Sequence, residues 1–213
     1  MHAKEDTATQ ILDAAERLVQ SRGFNGFSYA HIAAELNITK AALHYHFAGK
    51  SELGEALIAR YAARFADALA RVESRFEDAP SRLVAYADLY LDVLRHKRMC
   101  LCGMLAAEYQ TLPEPMQDTV VRFFADNETW LTRVLEKGQS DGTLQFEGPP
   151  SEVARMIVCG LEGAMLVARP FDDVAGFQAV THHLLAGLRR TTPEPSQSRT
   201  DYRGKDKRFA ARS

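Results

Sequence analysis

The sequence has few cysteines, no long apolar run and almost no net charge, and each shortage excludes a class of protein. Three cysteines in 213 residues are odd in number and too few for a disulfide framework, which points to a reducing compartment, the cytoplasm. No apolar stretch reaches the roughly 18 uninterrupted residues that a membrane helix needs. Even Val153 to Ala168 is interrupted by Arg155 and Glu162. The opening stretch MHAKEDTATQ holds no apolar core of the signal-peptide type. With 26 Lys and Arg against 28 Asp and Glu, the formal charge is −2. Averaged over the chain, that argues against nucleic acid, because such domains commonly have pI above about 9. Also missing are a Ser/His/Asp spacing, a phosphate-cradling glycine loop and a metal-binding helix signature. An enzyme is therefore disfavoured, and neither a cofactor nor a metal is expected. His182 and His183 are adjacent, diverge around a helix and make a poor metal pair.

What is present reads as helix throughout, since no alternating β-branched run is long enough for a strand. Ile11, Ala15, Leu18, Val19 and Arg22 share one helical face, and Gly23 supplies the stop. Ser28 is placed to cap a second helix with Ile32, Ala33 and Leu36 on its apolar side. Asn37 stands where a tight turn wants a left-handed residue, and Thr39 caps a short third helix from Lys40 to Phe47. A longer helix begins at Ser51, with Leu53, Leu57, Tyr61, Phe65 and Leu69 at helical spacing. Pro80 starts another at its first turn. Met99–Leu112 and Met116–Lys137 follow, the latter stopping at Gly138, and then Ser151–Arg169 and Asp173–Arg190. Beyond Thr191 apolar residues nearly vanish, and that tail is expected to be disordered.

The three short helices, with Leu36-Asn37-Ile38 as the turn, form a helix-turn-helix candidate. In that motif the second helix of the pair enters the major groove with its N-terminal side chains at base edges. The segment TKAALHYHFAGK, Thr39 to Lys50, contains no acid but has lysines, histidines and a tyrosine. Ala41 and Ala42 are small enough for deep insertion, while Leu43 and Phe47 provide the face that packs inward. A cationic reading surface is therefore compatible with a neutral chain.

The stretch ILDAAERLVQSRGFNGFSYAHIAAELNITKAALHYHFAGKSEL resembles the N-terminal domain of the TetR/AcrR bacterial transcriptional repressors. Its marks are the apolar first helix, Gly23-Phe24, Ser28, Ile32-Ala33 and the Leu43-His44-Tyr45-His46-Phe47…Lys50 run. His44 stands where tyrosine is usual, Asn37 where glycine is usual, and Gly49 where a small polar residue is usual. The resemblance implies an all-α protein: a three-helix helix-turn-helix domain over residues 1–50, an effector-binding and dimerisation domain over 51–190, and a basic tail over 191–213. It implies that Ser28, Tyr29, Thr39, Tyr45, His46 and Lys50 approach phosphates, with His44 a less regular contact that could respond to pH. Lys40 and Ala41 would face base edges, Ala41 against a thymine methyl.

The same resemblance places a small-molecule effector among the C-terminal helices. Tyr61, Phe65, Tyr86, Tyr90, Met104, Phe123 and Trp130 are the bulky candidates for its lining, although aromatic stripes at helical spacing are more often plain core. Cys100 follows Arg95, Lys97 and Arg98, and nearby cations favour the reactive thiolate. Sensing of an oxidant or electrophile there is weighed against a small buried core residue. Cys159, inside an apolar helix, is expected to be structural. Ile157, Gly160, Leu161 and Ala164, with Phe177, Val180, Leu184 and Leu188, mark two faces for a four-helix homodimer interface. The expected partners are thus a double-stranded operator, a small effector and a second copy, with no membrane. A helical protein-interaction adaptor that does not bind DNA is the alternative, but it leaves the acid-free Thr39–Lys50 segment unexplained.

Lys40→Ala is expected to relax specificity at one base position by about 1–3 kcal/mol, whereas Lys50→Ala would weaken all sequences alike and lower the salt slope by about one. Binding titrations on operator and mismatched duplexes over a range of salt check both.

Overall fold

The computed structural model describes the backbone of residues 2–188 and the side chains of residues 6–188. Among these residues there are α-helices joined by short loops and no strand. The helices are α1 (His2–Arg22), α2 (Tyr29–Leu36), α3 (Lys40–His46), α4 (Lys50–Arg75), α5 (Ala79–Arg95), α6 (Leu101–Ala107), α7 (Glu114–Ser140), α8 (Pro150–Ala168) and α9 (Val174–Ala186). Two single 3₁₀ turns, Tyr109–Thr111 and Arg169–Phe171, extend α6 and α8. The tail expected beyond Thr191 lies outside the described residues.

Local chemistry sets most helix ends. Gly23 takes φ +82° after α1, a conformation that a Cβ disfavours. Asn37 takes φ 53° after α2, and its N–H returns to the Ala33 carbonyl. The Thr39 hydroxyl accepts from the Ala42 amide at 3.1 Å to start α3. Asp78 does the same for Ser81 at 2.8 Å, with Pro80 in the first turn of α5. One expected stop is overturned. Gly138 lies inside α7, which continues to Ser140. A Cβ at Gly138 would fall 2.4 Å from Leu144 and 2.8 Å from Ala79, so this glycine permits close packing rather than ending the helix. The chain turns instead at Asp141-Gly142, with Gly142 at φ 67°.

Helix α2 packs on both α1 and α3, with Ile32, Leu43 and Phe47 buried, as are Ala15 and Val19 of α1. The larger set packs α7 on α4, α5 and α8, with α9 across α5 and α8. Helix α1 also touches α4 and α6, so one apolar core runs from Ile11 to Leu188. The α1–α4 junction is polar: the buried Glu16 carboxylate accepts from Arg60 at 3.1 Å and from Arg64 at 2.5 Å. Within the larger core, the Tyr86 hydroxyl donates to Asn127 Oδ1 at 3.0 Å, and Asn127 Nδ2 donates to the Phe123 carbonyl at 2.8 Å. Tyr86→Phe strands a buried acceptor and should destabilise the fold by about 1–3 kcal/mol without altering helix content. Denaturant unfolding followed by circular dichroism measures it.

Candidate DNA-reading face and the aromatic core behind it

The α3 surface follows from the inward pull of Leu43 and Phe47. Thr39, Lys40, Ala41, His44 and Tyr45 are exposed, Tyr45 by 69%, and His46 is half-buried. Ser28 is also exposed, at the extended N-cap of α2. Its amide donates to His31 Nδ1 at 3.1 Å, which places the proton of neutral His31 on the outward Nε2. His31 is a donor on this face that the sequence pattern did not single out. His44 Nδ1 lies 3.1 Å from the Ala48 carbonyl. It must donate there, so Nε2 offers a phosphate an N–H only as imidazolium.

Two expected phosphate contacts have other occupations. The Tyr29 hydroxyl donates to the Phe47 carbonyl at 3.0 Å, and its ring packs 4.9 Å from that of His44. Burial, helped by Glu52, pushes the phenol up to about 12. Tyr29 therefore spends its proton on joining α2 to the end of α3. Lys50 is turned inward, contrary to expectation. Its ammonium donates to the Phe24 carbonyl and, at 2.5 Å, to that of Phe27. It also lies 4.6 and 4.3 Å from the centres of the same two rings. Burial moves its pKa down, partly offset by Glu108. Lys50 thus closes the α1–α2 loop.

The other side of that loop is held by the C-terminal helices. Glu108, the residue that ends α6, accepts from the Phe24 amide at 2.5 Å and the Asn25 amide at 3.3 Å. Asn25 Nδ2 donates to Thr111 Oγ1 at 2.7 Å. Arg169 donates to the Ser21 carbonyl, and the Met99 amide to that of Gln20 at 3.1 Å. Nothing in the spacing of Glu108 or Arg169 marks them, because their partners lie more than eighty residues away.

Six of the expected lining residues do converge. Phe65 sits edge-on to Tyr86, Tyr90 and Phe123 at 5.2–6.1 Å. Tyr61 packs on Phe65 and Phe123, and Trp130 stacks on Tyr86 at 5.6 Å. Met104 is directed elsewhere: its sulfur accepts from Arg169 at 3.6 Å. Beside the rings stand two polar residues not anticipated as lining, Asn127 and Glu162. In the sequence Glu162 reads only as an interruption in an apolar helix.

Of the two readings weighed for Cys100 the structure favours the small buried core residue, and the expectation for Cys159 is corrected. Cys100 and Cys102 are buried, and burial, with Glu162 next in order, pushes both thiols well above the ordinary range. The cations before them do not create a thiolate. Cys159 is exposed rather than internal. The face of α8 is corrected too. Ile157, Leu161, Phe177 and Leu188 are fully or almost fully buried inside the chain, so they cannot meet a second copy. Gly160, Ala164 and Leu184 are half-buried, Gly160 against Leu184. The outward face carries Met156, Cys159, Gly163, Leu166 and Val167, with Phe171 beyond it and Val180 on α9. Leu166, Val167 and Phe171 are 63%, 67% and 79% exposed.

A capped tri-helical head with an acid-free exposed helix, locked to a larger aromatic-cored bundle, defines a helix-turn-helix DNA-binding regulator. Residues 11–57 match the family described as bacterial regulatory proteins, tetR family. Residues 79–184 match the tetracyclin repressor-like C-terminal domain. The chain belongs to the TetR family, whose members are transcriptional regulators and not enzymes. A TetR-family regulator structure from Agrobacterium tumefaciens is 32% identical, covers 88% of this chain and 100% of its own, and superposes with a TM-score of 0.85. One from Legionella pneumophila is 31% identical over 84% of this chain and 96% of its own, with a TM-score of 0.77. The A-factor receptor protein of Streptomyces griseus is 28% identical over 177 residues, or 78% of this chain. The chain spans 58% of that relative's length. No helix among the described residues is long and apolar enough to cross a membrane.

Lys50→Met should lower thermal stability by leaving the Phe24 and Phe27 carbonyls unpaired, at about 1–3 kcal/mol, while the salt dependence of DNA binding keeps its slope. Thermal unfolding beside salt titrations distinguishes this from the loss of a phosphate contact.

Proposed function

We propose that the protein is a homodimeric repressor that occupies a pseudo-palindromic operator and is released by a small-molecule effector held in the aromatic core. The observation that carries this reading is the clamp of Glu108 on the loop that leads into α2. It joins the reading head to α6, so a shift of α6 moves the head. Lys40 and Ala41 read base edges, while Thr39, Ser28, Tyr45, His46 and His31 position the helix on phosphates, the usual division of labour at a DNA interface. Two-fold pairing through the outward face of α8 and α9 sets two recognition helices roughly 34–36 Å apart, one helical turn, or a multiple of it. An effector releases the operator by binding more tightly to a dimer whose heads miss that spacing. The resemblance to a relative named as a receptor supports a ligand-responsive role. Cys100, buried and held protonated, is not proposed as a sensor.

Selection from a random duplex pool gives the operator and half-site spacing, and a compound panel then tests release. Leu166→Glu places a charge on the exposed apolar face. The variant is expected to sediment as a folded monomer and to bind operator at least tenfold more weakly. A dimer that persists with full affinity overturns this interface.

A further inference from the structure

The aromatic core contains one carboxyl group that no cation among the described residues answers. Glu162 interrupts the otherwise apolar inner side of α8, and its Oε1 is buried without a hydrogen-bond partner. The carboxyl's one polar partner is the Cys100 thiol, which donates to it and accepts the Tyr61 hydroxyl at 3.7 Å. The charged and titratable groups facing it are Cys100 and Cys102 from α6, Tyr61 from α4, and Tyr86 and Tyr90 from α5. All of these are neutral or negative on titration. Glu128 on α7 is occupied by Arg155, at 3.0 and 3.1 Å. None of the ion pairs among the described residues includes Glu162.

A buried carboxylate with one oxygen unpaired and no cation beside it is costly and is normally avoided. Here the surroundings are shaped to admit it. A Cβ on Gly103 would fall 2.2 Å from Glu162 Oε2, so the glycine leaves the room that the carboxyl occupies. Burial raises its pKa to about 7, so near neutrality it can be either proton donor or anion. Near it stand Tyr61, Tyr86 and Tyr90, with Trp130 stacked on Tyr86, and aromatic rings attract cations to their faces and disfavour anions there. Trp130 Nε1 is also buried without an acceptor. A metal ion does not suit the group, because no three His, Cys, Asp or Glu side chains among the described residues converge to hold one. Two clefts flank α4 beside the cluster: one of about 270 Å³ lined in part by Tyr61 and Phe65, and one of about 350 Å³ lined in part by Trp130.

We propose that the effector is an organic cation, a protonated amine on an aromatic body, whose ammonium pairs with Glu162 Oε1 while the body lies among the Tyr61, Tyr86, Tyr90 and Trp130 rings. The proposal deepens the reading of the core as the effector site and depends on it. The ammonium supplies the charge that the interior lacks. A neutral ligand leaves the ionised carboxylate unpaired, and an anion meets both the carboxylate and the π faces. The same carboxyl lies against Gly103 on α6, the helix whose end holds the α1–α2 loop through Glu108. Occupancy at Glu162 is thereby transmitted toward the DNA-reading head.

Three probes of one shape and different charge decide it: 4-phenylbutylamine, 4-phenylbutanol and 4-phenylbutanoate. Trp130 is the only tryptophan in the chain, so its fluorescence reports on the core directly, and calorimetry gives the affinities. The amine is expected to change Trp130 emission and to bind at least tenfold more tightly than the alcohol or the acid. Below about pH 7 Glu162 is protonated and must release that proton before pairing. Amine binding should therefore be about tenfold weaker at pH 6 than at pH 8, in proportion to the competent fraction. Glu162→Gln should abolish both the preference and the pH dependence, with circular dichroism verifying its fold. The ranking and pH profile of the unaltered protein decide the matter even if that variant misfolds. If the alcohol or the acid binds as well as the amine, the cation assignment falls while the core remains an effector site. If none of the three perturbs Trp130, the assignment also falls, and the operator-release panel alone then judges whether the core holds an effector.

Discussion

The loop between α1 and α2 has amides and carbonyls that neither helix can satisfy, and the working arrangement of the molecule depends on where those groups find partners. Glu108, from the end of α6, takes the Phe24 and Asn25 amides, and Lys50, from the start of α4, fills the Phe24 and Phe27 carbonyls. Buried or half-buried backbone groups must be paired somewhere. In this chain the two charged side chains that pair them come from different parts of the bundle. The reading head is therefore fixed to the larger domain by charge-assisted bonds to backbone, which set orientation more strictly than apolar contact does.

The aromatic core shows the same economy of polar groups. Tyr86, Tyr90 and Asn127 satisfy one another in a short chain of hydrogen bonds, and the rings around them pack edge to face. Glu162 and Trp130 Nε1 stand outside that closure. Natural interiors leave few such groups unpaired, and Glu162 lies against Gly103 of α6, the helix that ends at Glu108.

Much of the architecture was legible in the sequence because caps and period are local. Ser28, Asn37 and Thr39 mark the ends of α2 and the start of α3 through bonds that reach at most a few residues along the chain. Leu43 and Phe47, four apart, had to share a buried face, so the exposure of Lys40, Ala41 and Tyr45 followed. The convergence of six aromatic residues was also readable as helical stripes. The errors have a common origin. Gly138 looks like a stop until Leu144 and Ala79 are seen to need its missing Cβ. Lys50 looks like a surface cation until the Phe24 and Phe27 carbonyls are found beneath it. Helix α8 is apolar on more than one side, and periodicity could not say which side its neighbours cover.

The all-α character and the helix-turn-helix could be read from the chain alone, because caps and helical period are short-range geometry, and the family followed from the resemblance of some fifty residues to a known pattern. Tertiary structure alone decided which charged residues face inward and what they meet. Glu162, Glu108 and Lys50 each acquire a role from a partner supplied by a distant helix, and burial and pairing, unlike capping and period, are properties of the packed chain.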